Sequence, residues 1–344
     1  MAAQPSTVEI PFGEAPAIPG LRFRRLRGSD DYAAMVAVYA ACAKTDQLDE
    51  VVTEADLANF VEHPADSDPA LDLALADIDG QVVGYVWMSH RLETGGDEIH
   101  THRGYLHPTW RRRGLGTALL ALSWRRAQSC RLAASPSDAR ILQTFVSEGE
   151  TGAVALMLDR GYAPVRYGFK MVRDLSAPIP DLPLPDGLQV RPAEAKDFHA
   201  IWEAEREAFQ DHWGYAPWPE ESYQRFLGFP HYDPRLWRVA WDGDQVAGSV
   251  LSYINAEENH GYGRARGYTE DISVRRPWRK RGLASALIAQ SLAALRERGM
   301  TEAALEVDAD NPTGALRVYE RLGFVAVKRR IIYRRSLPNA GSLG

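Results

Sequence analysis

Arg279-Lys280-Arg281-Gly282-Leu283-Ala284 stands between an extended run, Tyr268 to Val274, and a stretch, Ala284 to Arg296, whose apolar residues recur at helical spacing. The pattern is written a second time. Arg111-Arg112-Arg113-Gly114-Leu115-Gly116 lies 168 positions upstream, counted from Gly114 to Gly282, again after an extended run and before an amphipathic stretch. A glycine at the start of a helix lets the backbone approach a ligand closely. The unpaired N–H groups of the first turn, aided by the helix dipole, suit an anion such as a pyrophosphate. Neither copy has the Gly-Lys-Ser/Thr ending of a Walker loop or the G-x-G-x-x-G of a dinucleotide fold.

Outward from the loops the duplication extends to whole domains. Gly20-Leu21-Arg22-Phe23-Arg24 opens the first copy and Gly187-Leu188-Gln189-Val190-Arg191 the second, at nearly the same offset, far longer than a solenoid repeat. Between them Ala177-Pro178-Ile179-Pro180-Asp181-Leu182-Pro183-Leu184-Pro185-Asp186 can neither propagate a helix nor donate to a central sheet, and it reads as an extended linker. Trp237 to Trp241 and Val246 to Tyr253 read as a hairpin about Asp242-Gly243-Asp244, matched by Leu71 to Ala76 and Val82 to Ser89 about Asp79-Gly80. Ala303 to Val307 reads as a strand and Thr313 to Arg321 as a helix ended by Gly323. Each half is therefore expected to be an α/β domain with a mixed sheet. The segments are 1–19, a flexible N-terminus; 20–176, the first domain; 177–186, the linker; 187–337, the second domain; and 338–344, a flexible tail.

With 344 residues, 45% hydrophobic and 25% charged, the chain is long enough for two cores and too balanced for wholesale disorder. A net charge of −6 offers no global basic field, so nucleic acid is not an expected partner. No apolar run approaches the length that spans a bilayer, and no signal peptide opens the chain, so neither a membrane nor export is expected. Cys42 and Cys130 show no CxxC or Cys/His ligand spacing. Neither a disulfide framework nor a metal is expected, and a cytoplasmic location fits.

On the two loops, Arg111-x-x-Gly114-x-Gly116 and Arg279-x-x-Gly282-x-Ala284, the sequence resembles the GNAT superfamily of N-acetyltransferases, which bind acetyl-CoA through a Q/R-x-x-G-x-G/A loop. The tandem arrangement resembles the mycothiol synthase-like two-domain members, whose substrate is not carried over. The resemblance implies two tandem domains, each a mixed, mostly antiparallel twisted sheet flanked by helices. It implies acetyl-CoA as donor and no metal. Cofactor contacts would fall at Ile272, Ser273, Val274, Arg279, Lys280, Arg281, Gly282, Leu283, Ala284, Ser285 and Asn311, and in the first copy at Leu106, Arg111, Arg112, Arg113, Gly114, Leu115, Gly116 and Thr117. Tyr319, four residues before Gly323-Phe324, matches the family's general acid, and Glu270 its base, with Asp271 as fallback should a bulge reverse the alternation.

Aligned without gaps, the first copy carries Met157 opposite Tyr319 and Gly149 opposite Asn311. A thioether donates no proton. That copy also carries His100 and His102 opposite Tyr268 and Glu270, so a histidine relay there is the alternative. In the second copy the resemblance places the acceptor pocket at the aromatic segment from Phe209 to Pro219, with His212, Trp213 and Trp218 as its wall and Asp211 or His212 addressing a cation; core filling is the alternative for most of these rings. The expected activity is acetyl transfer to a primary amine of a small molecule or peptide-like metabolite by direct attack in a ternary complex. The rival is a non-catalytic acyl-CoA-binding protein. A monomer forming an intramolecular pseudo-dimer, or a homodimer, is expected.

Overall fold

The computed structural model of the protein describes residues 9–132, 139–311 and 313–338. In chain order the elements are β1 (Leu21–Arg24), α1 (Tyr32–Asp46), α2 (Glu54–Glu62), α3 (Pro69–Asp72), β2 (Leu73–Ile78), β3 (Gln81–Leu92), β4 (Glu98–Leu106), α4 (Leu115–Ser129), β5 (Arg140–Ser147), α5 (Thr151–Asp159) and β6 (Ala163–Asp174). There follow β7 (Gln189–Arg191), α6 (Phe198–Ala208), α7 (Ser222–Leu227), β8 (Arg238–Asp242), β9 (Gln245–Tyr253), α8 (Ala256–Tyr262), β10 (Arg266–Val274), α9 (Leu283–Glu297), β11 (Glu302–Asp308), α10 (Ala315–Arg321) and β12 (Val325–Ser336). The α/β class and the duplication read from the sequence are both present. Among the described residues no helix is long and apolar enough to cross a membrane.

Two compact units divide the chain. Unit 1 runs to Val165 and resumes at Ile331; unit 2 is Arg166–Arg330. In unit 1 the strand order is β1-β2-β3-β4-β5, antiparallel except for the parallel β4/β5 pair. Alternation along β2 and β3 sends Leu73, Leu75 and Tyr85 to the α1 side, with Met35, Val38 and Leu57. Ala74, Ala76 and Val86 go to the α4 side, with Leu115 and Leu119. Unit 2 repeats the plan as β7-β8-β9-β10-β11-β6, again with one parallel pair, β10/β11. Val239, Trp241 and Leu251 pack on α6. Ala240, Ala247 and Val250 pack on the α9 side with Leu287 and Leu292.

The units are not the 20–176 and 187–337 segments that the proline run suggested. From Gly168 onward β6 pairs with β11, register Asp308↔Gly168 to Glu302↔Asp174, so these residues complete the sheet of unit 2. Ile331, Tyr333 and Leu337 enter a core of unit 1 with Met88, Leu142, Met157 and Tyr162. Prolines mark where a chain cannot be regular; they do not mark where contacts divide. The proline segment is itself docked, with Ile179, Leu182 and Leu184 packed against the core of unit 2. Residues 9–19 are likewise docked rather than flexible: Ile10, Phe12 and Ile18 pack on unit 1, and the Ile10 N–H donates to Phe23 O at 2.8 Å. Their apolar side chains cover a face that would otherwise be wet. The flexibility expected of 1–8 and 339–344 lies outside the described residues.

Candidate active site

Three features of β10 shape the site in unit 2. The parallel pairing with β11 ends at Tyr268↔Ala304, so the rest of β10 splays from its neighbour. The register with β9 slips between Glu270 and Ser273, and Asp271 takes φ 46°, a bulge that puts two residues against one. Gly248, opposite Val274, admits the displaced strand: a Cβ there would lie 2.5 Å from Ser273 O. The bulge ends the strict alternation assumed from the sequence. Glu270 stands opposite Leu251 on the α6 side, and Asp271 also reaches that side, where it accepts a short hydrogen bond from the Tyr232 hydroxyl.

Glu270 Oε1 accepts from the Glu306 N–H at 3.0 Å, so the carboxylate meets a backbone donor that sheet pairing has left free inside the splay. Burial, then the nearby Glu306 and Asp271 carboxylates, push the Glu270 pKa well above its ordinary value. Burial also raises Asp271. A third carboxyl, Glu205 of α6, is buried beside Ser249 and is raised by burial and by Asp271. The sequence reading missed Glu205 and Tyr232. Glu205 carried a signal, because an acid sits on the same helical stripe as Ile201, Ala204 and Ala208.

Tyr319 is 7% exposed, its ring edge-on to Phe324 in the α9-side core. Burial, then the Glu270 carboxylate, hold its phenol above its ordinary pKa, so it stays protonated at neutral pH. The acid and base candidates thus influence each other across the splay. Asn311 Oδ1 accepts from the Thr313 N–H and hydroxyl, a local turn ahead of α10.

The loop before α9 has Lys280 at φ 60° and Gly282 at φ 86°, left-handed residues that turn successive N–H groups the same way. The first helical bond is Ala286 N–H to Gly282 O, which leaves the amides of Leu283, Ala284 and Ser285 ahead of it, and the helix has no side-chain cap. Nothing lies within 4 Å of the missing Gly282 Cβ. Arg279, expected to add charge toward phosphate, is committed elsewhere: it donates to Val274 O at 2.8 Å, to Ala208 O at 3.0 Å and to Asp211. It pins the loop. Asp211 also binds Arg276 at 2.6 Å, and these bonds hold its carboxylate well below the usual range, so it is not a free anion for a cationic acceptor. His212 stacks edge-on to Phe209, with its pKa lowered by burial. Trp213 lies under the Arg166 guanidinium and Trp218 against Trp202 and Phe209.

Unit 1 repeats the loop, with Arg112 at φ 62°, Gly114 at φ 85° and Arg111 bound bidentately to Asp46 at 2.7 and 2.6 Å. The neighbourhood differs. Pro16 presses on Gly114, 3.2 Å from where its Cβ would be, and a Cβ on Gly149 would lie 2.6 Å from Asp46 O, so no asparagine fits there. Met157 is core. β4 has no bulge, its register with β3 running unbroken from Gly84↔Leu106 to Leu92↔Glu98. Counted from the glycine opposite the loop-side end, Glu270 therefore corresponds to Arg103, paired with Trp87, and not to His102. One bulged residue reverses every facing assignment. His100 and His102 instead face α4: His102 bonds the Tyr162 hydroxyl at 2.9 Å, and burial lowers its pKa to about 4. Burial, with the charge on His90, lowers His100 to about 3.

A twice-built αβ sheet with a splayed strand and an amide-lined helix mouth defines a class, and the family model for the acetyltransferase (GNAT) family matches residues 35–156 and again 198–324. The chain belongs to this family, whose donor is acetyl-CoA. It is 30% identical over 307 residues to a mycothiol acetyltransferase of Geodermatophilus obscurus, covering 88% of this chain and 94% of that one. It is 31% identical over 269 residues to a mycothiol acetyltransferase of Salinispora tropica, covering 77% and 82%. Among solved structures, a GCN5-related N-acetyltransferase from Sphaerobacter thermophilus superposes with a TM-score of 0.67 at 28% identity, covering 93% of this chain and 96% of that one. A tandem GNAT protein of the clavulanic acid biosynthesis pathway shares the fold, with a TM-score of 0.68 at 19% identity over 93% and 99%.

Proposed function

We propose that unit 2 transfers acetyl from acetyl-CoA to a primary amine of a small-molecule or peptide-like acceptor, in the manner of the mycothiol acetyltransferases it resembles. The observation that carries this reading is the bulged, splayed β10, with Glu270 and Tyr319 at the same opening. The amides of Leu283, Ala284 and Ser285 hold the diphosphate. The N–H groups of Ile272 to Val274 polarise the thioester carbonyl where strand pairing has been given up. Glu270, with its raised pKa, removes a proton from the acceptor's ammonium group, directly or through water, and so frees the neutral amine. Asp271 and Glu205 line the acceptor side with buried carboxyl groups. The amine attacks the carbonyl carbon, the C–S bond breaks, and Tyr319 protonates the departing thiolate. His212, Trp213 and Trp218 wall the acceptor. Unit 1, with Arg103 in place of the base and Met157 in place of the acid, serves a non-catalytic role.

A thiol-release assay on the full chain, with acetyl-CoA and a panel of amines that includes the acceptor of mycothiol acetyltransferases, tests the reading. Turnover abolished by Glu270→Gln and retained by Arg103→Gln is expected. Retention of full turnover in Glu270→Gln, or no release with any amine while acetyl-CoA binds, refutes it.

A further inference from the structure

The histidines that resembled a relay meet a different group. His90 and His100 are direct cross-strand partners on β3 and β4, and both face α4. The C-cap of α4 is Cys130. We propose that unit 1 carries a divalent transition-metal site, taken by Zn2+, with His90 Nδ1, His100 Nδ1 and Cys130 Sγ as its ligands.

These three atoms come from three elements and lie within 4.8 Å of one another. The two Nδ1 atoms are 2.8 Å apart, and the Cys130 thiol is in hydrogen-bonding reach of His90. What turns the His90 ring inward is the acid behind it, Asp72, whose Oδ1 lies 2.9 Å from His90 Nε2; Glu98 Oε2 stands farther from His100 Nε2, at 3.6 Å. Both acids are themselves fixed, Asp72 by Arg126 at 2.5 Å and Glu98 by Arg140 at 3.3 Å. A carboxylate on the far nitrogen selects the tautomer with Nε2–H and leaves the Nδ1 lone pair free, the usual arrangement behind a metal-bound imidazole.

Without an ion the two Nδ1 atoms share one proton in the hydrogen bond between the rings. An ion between the rings takes that proton's place and lets both stay neutral. The donor set selects the metal: two imidazoles and a thiolate suit Zn2+, whereas Mg2+ and Ca2+ demand oxygen. Three protein ligands leave a further position to solvent. The sequence held no cue, because the ligands are brought together by a strand pair and a helix end and not by local spacing.

The test uses the full chain, stripped with chelator, given one equivalent of Zn2+ and passed through a desalting column before metal analysis. One zinc per chain is expected to remain. Co2+ in place of Zn2+ should give thiolate charge-transfer absorption that Cys130→Ser abolishes. Asp72→Asn, which removes only the acid behind His90, should weaken Zn2+ binding by about 10–100-fold. Circular dichroism of each stripped variant shows whether it has folded, and Cys130→Ser, at a helix end, changes a single atom. His199, Glu203 and Glu220 of unit 2 form a second, exposed group, for which Glu220→Gln is the control. No retained zinc in the wild-type chain, equal retention by Cys130→Ser, or loss confined to Glu220→Gln overturns the proposal.

Discussion

Replacing Tyr319 by phenylalanine removes one oxygen and nothing else from the site. The ring keeps its place beside Phe324, Leu283 and Leu287 in the α9-side core, so stability should change by less than about 1 kcal/mol. What is lost is a proton donor. Burial and Glu270 keep the phenol protonated far above neutral pH, so the wild-type group is always loaded when the C–S bond breaks. Positioned acids contribute about 10²- to 10⁴-fold. The lower end applies here, because the splay leaves Glu270 and Asp271 only half-buried and water can stand in as a poorer donor. The expected fall in kcat is therefore about 10²-fold, or about 2.7 kcal/mol of barrier. Acetyl-CoA affinity, which the proposal assigns to the amides of the α9 mouth, should not move. Steady-state thiol release gives kcat, calorimetry with acetyl-CoA gives affinity, and a thermal melt confirms the fold. A variant with wild-type kcat removes Tyr319 from the mechanism. A variant that loses affinity in step with kcat shows the hydroxyl to be a binding group.

Three further outcomes follow from the geometry. Because the Glu270 pKa is raised, its base form is lost on acidification at a higher pH than for an ordinary carboxylate; the acid limb of the kcat/KM profile should lie well above about 4.3, and Glu270→Gln should remove that limb along with most of the activity. Gly248→Ala drives a methyl into the Ser273 carbonyl, so it should cost about 1–3 kcal/mol and most turnover, measured by denaturant unfolding and thiol release, whereas Gly152→Ala, with open space around it, should cost neither. Asp31 is buried, which alone would raise its pKa, but Arg24 and Arg27 bring it down to about 2. The stability it supplies is full above its ordinary pKa and is lost as pH falls through about 2. Asp31→Asn should therefore cost about 2 kcal/mol at pH 7 and flatten the acid dependence of unfolding.

Much of the architecture was legible because it was written twice. The two glycine loops and the hairpin turns at Asp79-Gly80 and Gly243-Asp244 are local signals, and each fell within a few residues of the observed element. What escaped the reading is non-local. A single bulge at Asp271 reversed which of the first-copy residues correspond to Glu270, and no residue type announces a bulge when its left-handed position is filled by aspartate. The commitment of Arg279 to Asp211, and of Arg111 to Asp46, depends on the end of the first helix of each unit reaching the loop. Of the site residues expected from the family resemblance, Glu270 and Tyr319 influence each other. Asn311 bonds Thr313, and the aromatic segment packs among its own rings and on Trp202.

The stretch from Ile331 to Leu337 is interior to the unit that is synthesised first. On the ribosome that unit waits, lacking three core side chains, until Leu337 has emerged. A stop codon after Arg330 would spare every residue of the site proposed in unit 2 and still leave the other unit with a hole. The halves can be dissected only by grafting this tail back onto the fragment it belongs to.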